Sequence, residues 1–111
     1  MFYIAVSNHD DHLRNHGFLL DNNSWVLSPA YDINASLDNV EYLSLNISLD
    51  SSLSSFELLR STSEYYKISN SDSIEITKRI SNIVRKNWHK IAKKNKIPSS
   101  QISRMQACFE R

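Results

Sequence analysis

The sequence predicts a mainly α-helical domain that carries one small β-hairpin, an α+β arrangement. Two patterns support this prediction: apolar residues at helical spacing in the second half, and two short apolar runs around a turn-forming segment in the first half. The length of 111 residues leaves room for one hydrophobic core, so we expect a single domain over residues 1–111. The apolar and charged fractions, 41% and 23%, are those of a globular protein.

The beginning of the chain is predicted to form a short apolar element, a polar loop and a hairpin. Residues 2–7 are apolar and indicate the end of a helix or strand, whereas residues 7–15 are polar and indicate a loop. Residues 17–20 and 25–27 are apolar runs on either side of residues 21–24, whose Asp, Asn and Ser side chains favour turns. We therefore expect a two-stranded hairpin.

An irregular segment is predicted to follow the hairpin. Pro29 interrupts strand pairing, and Tyr31 and Asp32 begin a stretch without regular spacing that continues to about residue 41. Residues 42–45 are expected to form a short strand or an extended segment.

Helices are predicted over most of the second half. Ser54 or Ser55 is expected to cap a helix over roughly residues 56–67. A second helix is expected from near Asp72 to about Lys94, with one buried apolar stripe. The members of that stripe are Ile76, Ile80, Ile83, Val84, Trp88 and Ile91.

A last helix is predicted to start at Pro98, because proline is favoured in the first turn of a helix. Its inward-facing residues are expected to be Ile102, Met105 and Phe109.

The charges are distributed unevenly along the chain. Residues 1–55 contain seven acids and one base, whereas residues 56–111 contain twelve bases and five acids. The acidic half suits a magnesium site; the basic half suits a polyanion or an acidic partner, although a solvated helix face accounts for it more simply. The single cysteine, Cys108, excludes a disulfide framework. No segment has the length of a signal peptide or membrane span, so we expect a cytoplasmic protein.

The most informative motif joins Asp10, Asn15 and Asp32. Asp10 and Asn15 are five positions apart, and Asp32 follows the predicted hairpin. In kinase-type phosphotransfer, an Asp orients the attacking hydroxyl group, while an Asn five residues later and an Asp beyond a hairpin hold magnesium on the ATP phosphates. The order and spacing here favour that chemistry.

Spacing alone does not exclude simpler roles for these residues. Asp10 and Asn15 are common turn residues. His9, His12 and His16 lie near two carboxylates, but no cysteine and no H-E-x-x-H pattern accompanies them. The single glycine, Gly17, excludes a serine-hydrolase elbow, a Walker loop and a glycine-rich kinase loop within these residues.

Residues 8–20 and 25–34 closely resemble the catalytic loop and metal-binding segment of HipA-type serine/threonine kinases, toxins of toxin–antitoxin modules. The resemblance extends through residues 55–58 and Trp88 to residues 102–105. It implies a fold like the C-lobe of protein kinases, as a HipA-like C-terminal fragment truncated at its N-terminal side. The N-lobe with its phosphate-binding loop and ATP-anchoring lysine would precede Met1.

The resemblance also implies roles for individual residues. Asp10 would be the catalytic base, and Asn15 and Asp32 would bind Mg²⁺. The ATP-binding residues would be His12, Leu13, Arg14, Asn15 and Tyr31.

Two functions from different classes follow. The first is the catalytic-loop portion of a protein kinase, inactive alone, that needs an N-lobe from another chain and phosphorylates a protein such as an aminoacyl-tRNA synthetase. The second is a non-catalytic remnant that binds a HipB-like antitoxin or nucleic acid through the basic residues between Lys78 and Lys96. Whether the chain is an enzyme by itself is left open by the sequence.

Overall fold

The computed structural model describes residues 1–38 and 40–110. Four helices and one two-stranded antiparallel sheet are formed by these residues, together with 3-10 turns at Leu13–Asn15 and Ser63–Tyr66. The elements are α1 (Phe2–Ala5), β1 (Phe18–Asp21), β2 (Ser24–Leu27), α2 (Phe56–Ser61), α3 (Asn70–Lys94) and α4 (Ser99–Phe109). The predicted α+β composition is confirmed.

The hairpin is confirmed, and its two-residue loop explains its register. Asn22 and Asn23 have φ angles of 46° and 64°, the left-handed conformation that two-residue hairpin turns require and that asparagine tolerates. This turn pairs Phe18 with Leu27 and Asp21 with Ser24. All side chains of β1 and β2 are exposed, including six large apolar ones: Phe18, Leu19, Leu20, Trp25, Val26 and Leu27.

The predicted helix over residues 56–67 is shorter than expected. Ser55 caps α2, accepting hydrogen bonds from the backbone N–H groups of Glu57 at 3.1 Å and Leu58 at 3.3 Å. However, α2 ends at Ser61 and is followed by a 3-10 turn. The Thr62 hydroxyl donates to the Leu59 carbonyl oxygen at 2.9 Å, and such local bonds from threonine compete with the helical backbone pattern.

Helix α3 begins earlier than predicted because Ser69 is its cap. The Ser69 Oγ accepts from the Asp72 backbone N–H at 3.1 Å and donates to the Asp72 carboxylate at 2.7 Å. Val84 is buried as expected, but Ile83 and Ile91 are 54% and 56% exposed. The prediction that these two belong to a buried stripe is therefore wrong: they face an open groove between α3 and α4.

The last helix has the predicted start and orientation. Pro98 occupies its N-cap position, and Ile102 is buried while Met105 and Phe109 are half-buried. The Phe109 ring stacks on Trp88 of α3 with centroids 5.2 Å apart and planes 16° apart. This stacking fixes α4 against the C-terminal half of α3.

A small core joins the first and third helices. Ala5, Val6 and Val84 form its centre, and Ile4 is also buried. The partly buried residues packed against that centre are Ile33, Phe56, Ile80 and Phe109. The apolar beginning of the chain is thus one helical turn that buries Ile4 and Ala5, which decides between the helix and strand predicted for it.

Three hydrogen bonds connect distant segments beside this core. The Ser7 Oγ donates to the Cys108 carbonyl oxygen at 3.0 Å, the Cys108 Sγ to the Ser36 carbonyl oxygen at 3.1 Å, and the Ser36 N–H to the Ser7 carbonyl oxygen at 2.9 Å. We call these three residues the Ser7–Ser36–Cys108 ring. It ties the end of α4 to the segments on either side of the hairpin.

Candidate functional site

The predicted catalytic loop leaves α1 in a fixed direction. Ser7 has a φ angle of 53°, which turns the chain sharply out of the helix, and the Asn8 N–H donates to the Tyr3 carbonyl oxygen at 2.9 Å. Asn8 and His9 are buried, whereas Asp10 is exposed. The N–H and the Oγ of Ser44 both donate to the His9 carbonyl oxygen, at 2.9 and 3.1 Å. Asp10 is therefore presented to solvent from an anchored backbone.

Asn15 connects the parts of the predicted site. It ends the 3-10 turn Leu13–Asn15 and is only 5% exposed. Its Nδ2 donates to the backbone carbonyl oxygen of Asp10 at 3.3 Å and to the Asp32 carboxylate at 3.4 Å. The structure thus brings together the three residues that the sequence motif singles out.

Asp32 is held in an unusual backbone conformation. Its φ angle of 55° lies in the left-handed region, where aspartate is tolerated better than most residues. The Nδ2 of Asn34 donates to its Oδ1 at 2.8 Å, so both carboxylate oxygens accept a hydrogen bond. In addition, the Tyr31 hydroxyl donates to the Arg14 carbonyl oxygen at 2.7 Å and fastens this segment to the 3-10 turn.

The remaining predicted ATP-binding residues form the outer side of the loop. Leu13 and Arg14 are exposed, and His12 is half-buried. Within residues 1–38 and 40–110, the His12 Nδ1 has no hydrogen-bond partner. Asp11 is engaged elsewhere, because its Oδ1 lies 2.9 Å from the His16 Nε2. Asp11 and Asp10, although adjacent, therefore have different surroundings.

A cleft of about 690 Å³ opens beside Asp10 and Asp32. The predicted ATP-binding residues lie outside its lining: His12, Leu13, Arg14, Asn15 and Tyr31. Three carboxylates line it: Asp10, Asp32 and Asp38. Asn8 also lines it, and its buried Nδ2 has no hydrogen-bond partner in the described part of the chain. Sequence reasoning did not select Asn8, Asn34, Asp38 or Ser44. Of these residues, only Asn34 could have been identified from the sequence. It lies two residues after Asp32, a spacing at which its side-chain amide can reach the Asp32 carboxylate.

The donor atoms around Asp32 suit one hard cation with open coordination positions. Mg²⁺ prefers oxygen ligands at 2.0–2.1 Å and is commonly held by one or two carboxylates, with water and phosphate completing the octahedron. Adjacent ligands of such an octahedron are about 2.9 Å apart, and the amide group of Asn15 is 3.4 Å from the Asp32 Oδ2. The Asn15 Oδ1 and the Asp32 carboxylate would supply two such oxygen ligands, while the Asn15 Nδ2 keeps its hydrogen bond to the Asp10 carbonyl oxygen.

One finding applies to the histidine-rich loop and to the carboxylate cleft alike. No three His, Cys, Asp or Glu side chains of the described residues are close enough to share a metal ion. None of the helices in this part of the chain is long and apolar enough to cross a membrane.

The comparison with protein families gives one match. Residues 1–95 match the family described as HipA-like C-terminal domain. A search of curated proteins and a search of solved structures each found no match. The matched range includes the cleft and α1 to α3, and it ends before α4.

Proposed function

The chain belongs to the family of HipA-like C-terminal domains, and from this premise we propose that it is the catalytic-loop portion of a serine/threonine protein kinase with a C-lobe-like fold. The reaction would transfer the γ-phosphoryl group of ATP to a Ser or Thr of a protein. An aminoacyl-tRNA synthetase is the substrate expected from the resemblance. The family context further suggests a cytoplasmic toxin–antitoxin module with a HipB-like antitoxin.

One observation carries this proposal: the Asn15 side chain bridges the Asp10 backbone and the Asp32 carboxylate. Phosphoryl transfer depends on positioning and charge stabilisation. A buried amide that contacts both segments fixes the distance between the residue that would orient the hydroxyl group and the residue that would bind the metal. Asp10 would accept or orient the substrate proton, and the exposed Arg14 would stabilise charge on the transferred group.

Mg²⁺ and ATP would bind at the cleft beside Asp10 and Asp32. Asn15 and Asp32 would hold Mg²⁺, which supplies charge neutralisation at the phosphates when bound. Asn34 would keep the Asp32 carboxylate oriented through its hydrogen bond to Oδ1. The exposed turn with His12, Leu13 and Arg14 would lie along the phosphates.

The cleft needs a second surface to enclose a nucleotide. With Gly17 as its one glycine, this chain contains no glycine-rich phosphate loop. The hairpin exposes six large apolar side chains beside the site, and an N-lobe that covers them would complete the nucleotide pocket. We therefore expect little or no phosphorylation by these 111 residues alone.

Kinase assays with and without an added N-lobe polypeptide test the proposal. The chain, Mg-ATP and an aminoacyl-tRNA synthetase are incubated, and phosphorylated Ser or Thr is detected by mass spectrometry. Phosphorylation is expected only with the N-lobe, and Asp10→Ala should lower its rate by about 10²–10⁴-fold, the contribution of a general base. Asp11→Asn is the matched control because Asp11 pairs with His16. Equal loss in both variants would contradict the role of Asp10.

A non-catalytic function is favoured by one different observation. Residues 78–96 contain eight bases and no acid, and all eight are exposed. An interaction module could use this surface to bind an antitoxin-like partner or nucleic acid. Binding to nucleic acid would weaken steeply with salt, so gel shifts at low and moderate salt test it. Such binding that is unchanged by Asp32→Ala would support the non-catalytic function.

A further inference from the structure

An apolar groove of about 610 Å³ lies between α3 and α4, with Phe2 of α1 at one end. Its floor contains the stacked rings of Trp88 and Phe109, and its rim contains Ile83 and Ile91, which are more than half exposed. The polar side chains that line the groove are the amides of Asn87, Asn95 and Gln101. The groove is separate from the acidic cleft, whose lining shares no residue with it.

The accessible surface of the molecule is larger than that of a compact monomer of the same mass. Its accessible area is 8210 Å², whereas a compact monomer of 12.9 kDa exposes about 6,300 Å². Its radius of gyration is 15.5 Å, compared with about 13 Å expected for this length. The difference of about 1,900 Å² is more than twice the roughly 800 Å² that one partner contributes to a standard protein–protein interface. The groove and the hairpin are therefore of the size and character that a partner covers.

Basic residues border one edge of this groove. Lys86, Lys90 and Lys94 recur every four residues of α3 and so share a stripe on its surface. Each lies three positions after a groove residue, Ile83, Asn87 or Ile91, and residues three apart are neighbours on a helix surface. Two copies of the chain packed groove to groove would bring together two stretches with eight bases and no acid. The charge therefore opposes self-association and favours an acidic partner.

From this apolar floor and basic edge we infer that the groove binds an amphipathic α-helix of a partner polypeptide, with an apolar face and acidic residues along one side. The stretch from Ile83 in α3 to Asn95, the C-cap of that helix, is about 18 Å long, which matches three to four turns of a bound helix. Large apolar residues at positions i, i+3, i+4 and i+7 of that helix would enter the groove. Its Glu or Asp residues would face Lys86, Lys90 and Lys94.

Peptide binding to the complete chain tests this inference. The probe is a designed helical peptide of about 18 residues with Leu on one face and Glu along one edge, and its control carries Lys in place of Glu. Trp25→Phe leaves Trp88 as the only tryptophan, because the chain has two. A change in Trp88 fluorescence then reports binding in the groove. The Glu peptide should bind at least about tenfold more tightly than the Lys peptide, and added salt should reduce this difference.

Matched variants locate the binding surface. Ile91→Gln and the double variant Lys90→Glu/Lys94→Glu should each weaken binding of the Glu peptide by about tenfold. Leu49→Gln, an exposed apolar residue outside the groove, and Lys78→Glu, a base that does not line it, should leave binding unchanged. All five positions are exposed, and circular dichroism checks that the variants are folded.

Four results would overturn the inference. They are equal binding of the Glu and Lys peptides, binding unaffected by Ile91→Gln, displacement of the peptide by a DNA oligonucleotide, and a dimer in sedimentation equilibrium that Ile91→Gln dissociates. The last would identify a second copy of the chain as the occupant.

Discussion

Two replacements of Asp32 should separate its effect on the backbone from its proposed role in metal binding. Asp32→Ala removes the carboxylate and places a residue that disfavours positive φ at an angle of 55°. Asp32→Asn removes the charge but keeps a side chain that tolerates this conformation. The two variants should therefore differ in stability while both lack the carboxylate proposed to bind the metal.

The expected size of the difference follows from the contacts of Asp32. The left-handed conformation costs alanine about 1–2 kcal/mol. The carboxylate accepts hydrogen bonds from Asn34 at 2.8 Å and Asn15 at 3.4 Å, and losing these two bonds costs about 1–2 kcal/mol in total. Asp32→Ala should therefore lower the free energy of unfolding by about 2–4 kcal/mol. Asp32→Asn keeps one acceptor oxygen and should cost less than about 1 kcal/mol.

Thermal unfolding followed by far-UV circular dichroism measures this difference. For a chain of this length the entropy of unfolding is about 0.23 kcal/mol/K, so Asp32→Ala should lower Tm by roughly 9–17 °C and Asp32→Asn by less than about 4 °C. Asp38→Ala is the matched control, since Asp38 lines the same cleft without a positive φ angle. Equal Tm values for Asp32→Ala and Asp32→Asn would refute this reasoning. Stimulation by the N-lobe that persists in folded Asp32→Ala would instead refute the metal-binding role.

Three further predictions concern the elements that support the site. Ser69→Ala removes the cap of α3 and should lower the free energy of unfolding by about 1 kcal/mol in urea titrations, whereas Ser100→Ala on exposed α4 should change it by less than about 0.5 kcal/mol. Asn23→Gly should raise Tm slightly because glycine is preferred at the second position of this turn; a lower Tm would contradict the turn assignment. Burial raises the pKa of the Tyr3 phenol above its ordinary value of 10.0, and the Asp11 carboxylate adds to this effect. The native state therefore holds the Tyr3 proton more strongly than the unfolded state does. The stabilisation that this proton gives the native state is present below pH 10 and is lost as the pH rises through the folded-state pKa. Unfolding titrations should show a smaller loss of stability at alkaline pH in Tyr3→Phe than in the unchanged chain.

Local chemistry explains what could be predicted from the sequence. The Asn22–Asn23 turn sets the hairpin through its own backbone preferences, and the Ser55 cap and Pro98 mark helix starts within a few residues. The proximity of Asn15 to Asp32 was predictable in part, because a hairpin returns the chain close to where it began. These features depend on near neighbours in the sequence.

Features that depend on tertiary packing could not be predicted in this way. Helical periodicity identified Ile83 and Ile91 as apolar positions of α3, but whether they are covered depends on how far α4 lies from them. The pairing of Asp11 with His16 and the contact of Ser44 with His9 depend on how the loops fold back. The periodicity of apolar residues identifies an apolar helix face. Whether other elements cover that face depends on how they pack against it.

The Ser7–Ser36–Cys108 ring has a consequence for the order in which the protein forms. Ser7 and Cys108 are 101 positions apart, so during synthesis the residues of the cleft leave the ribosome long before the helix that closes the ring. At roughly 5–20 residues per second, the cleft segments wait several seconds for that helix. Contacts of such long sequence separation form late because the loop must close first. The cleft is therefore made well before the helix that closes the ring, and it becomes rigid only after that helix has formed.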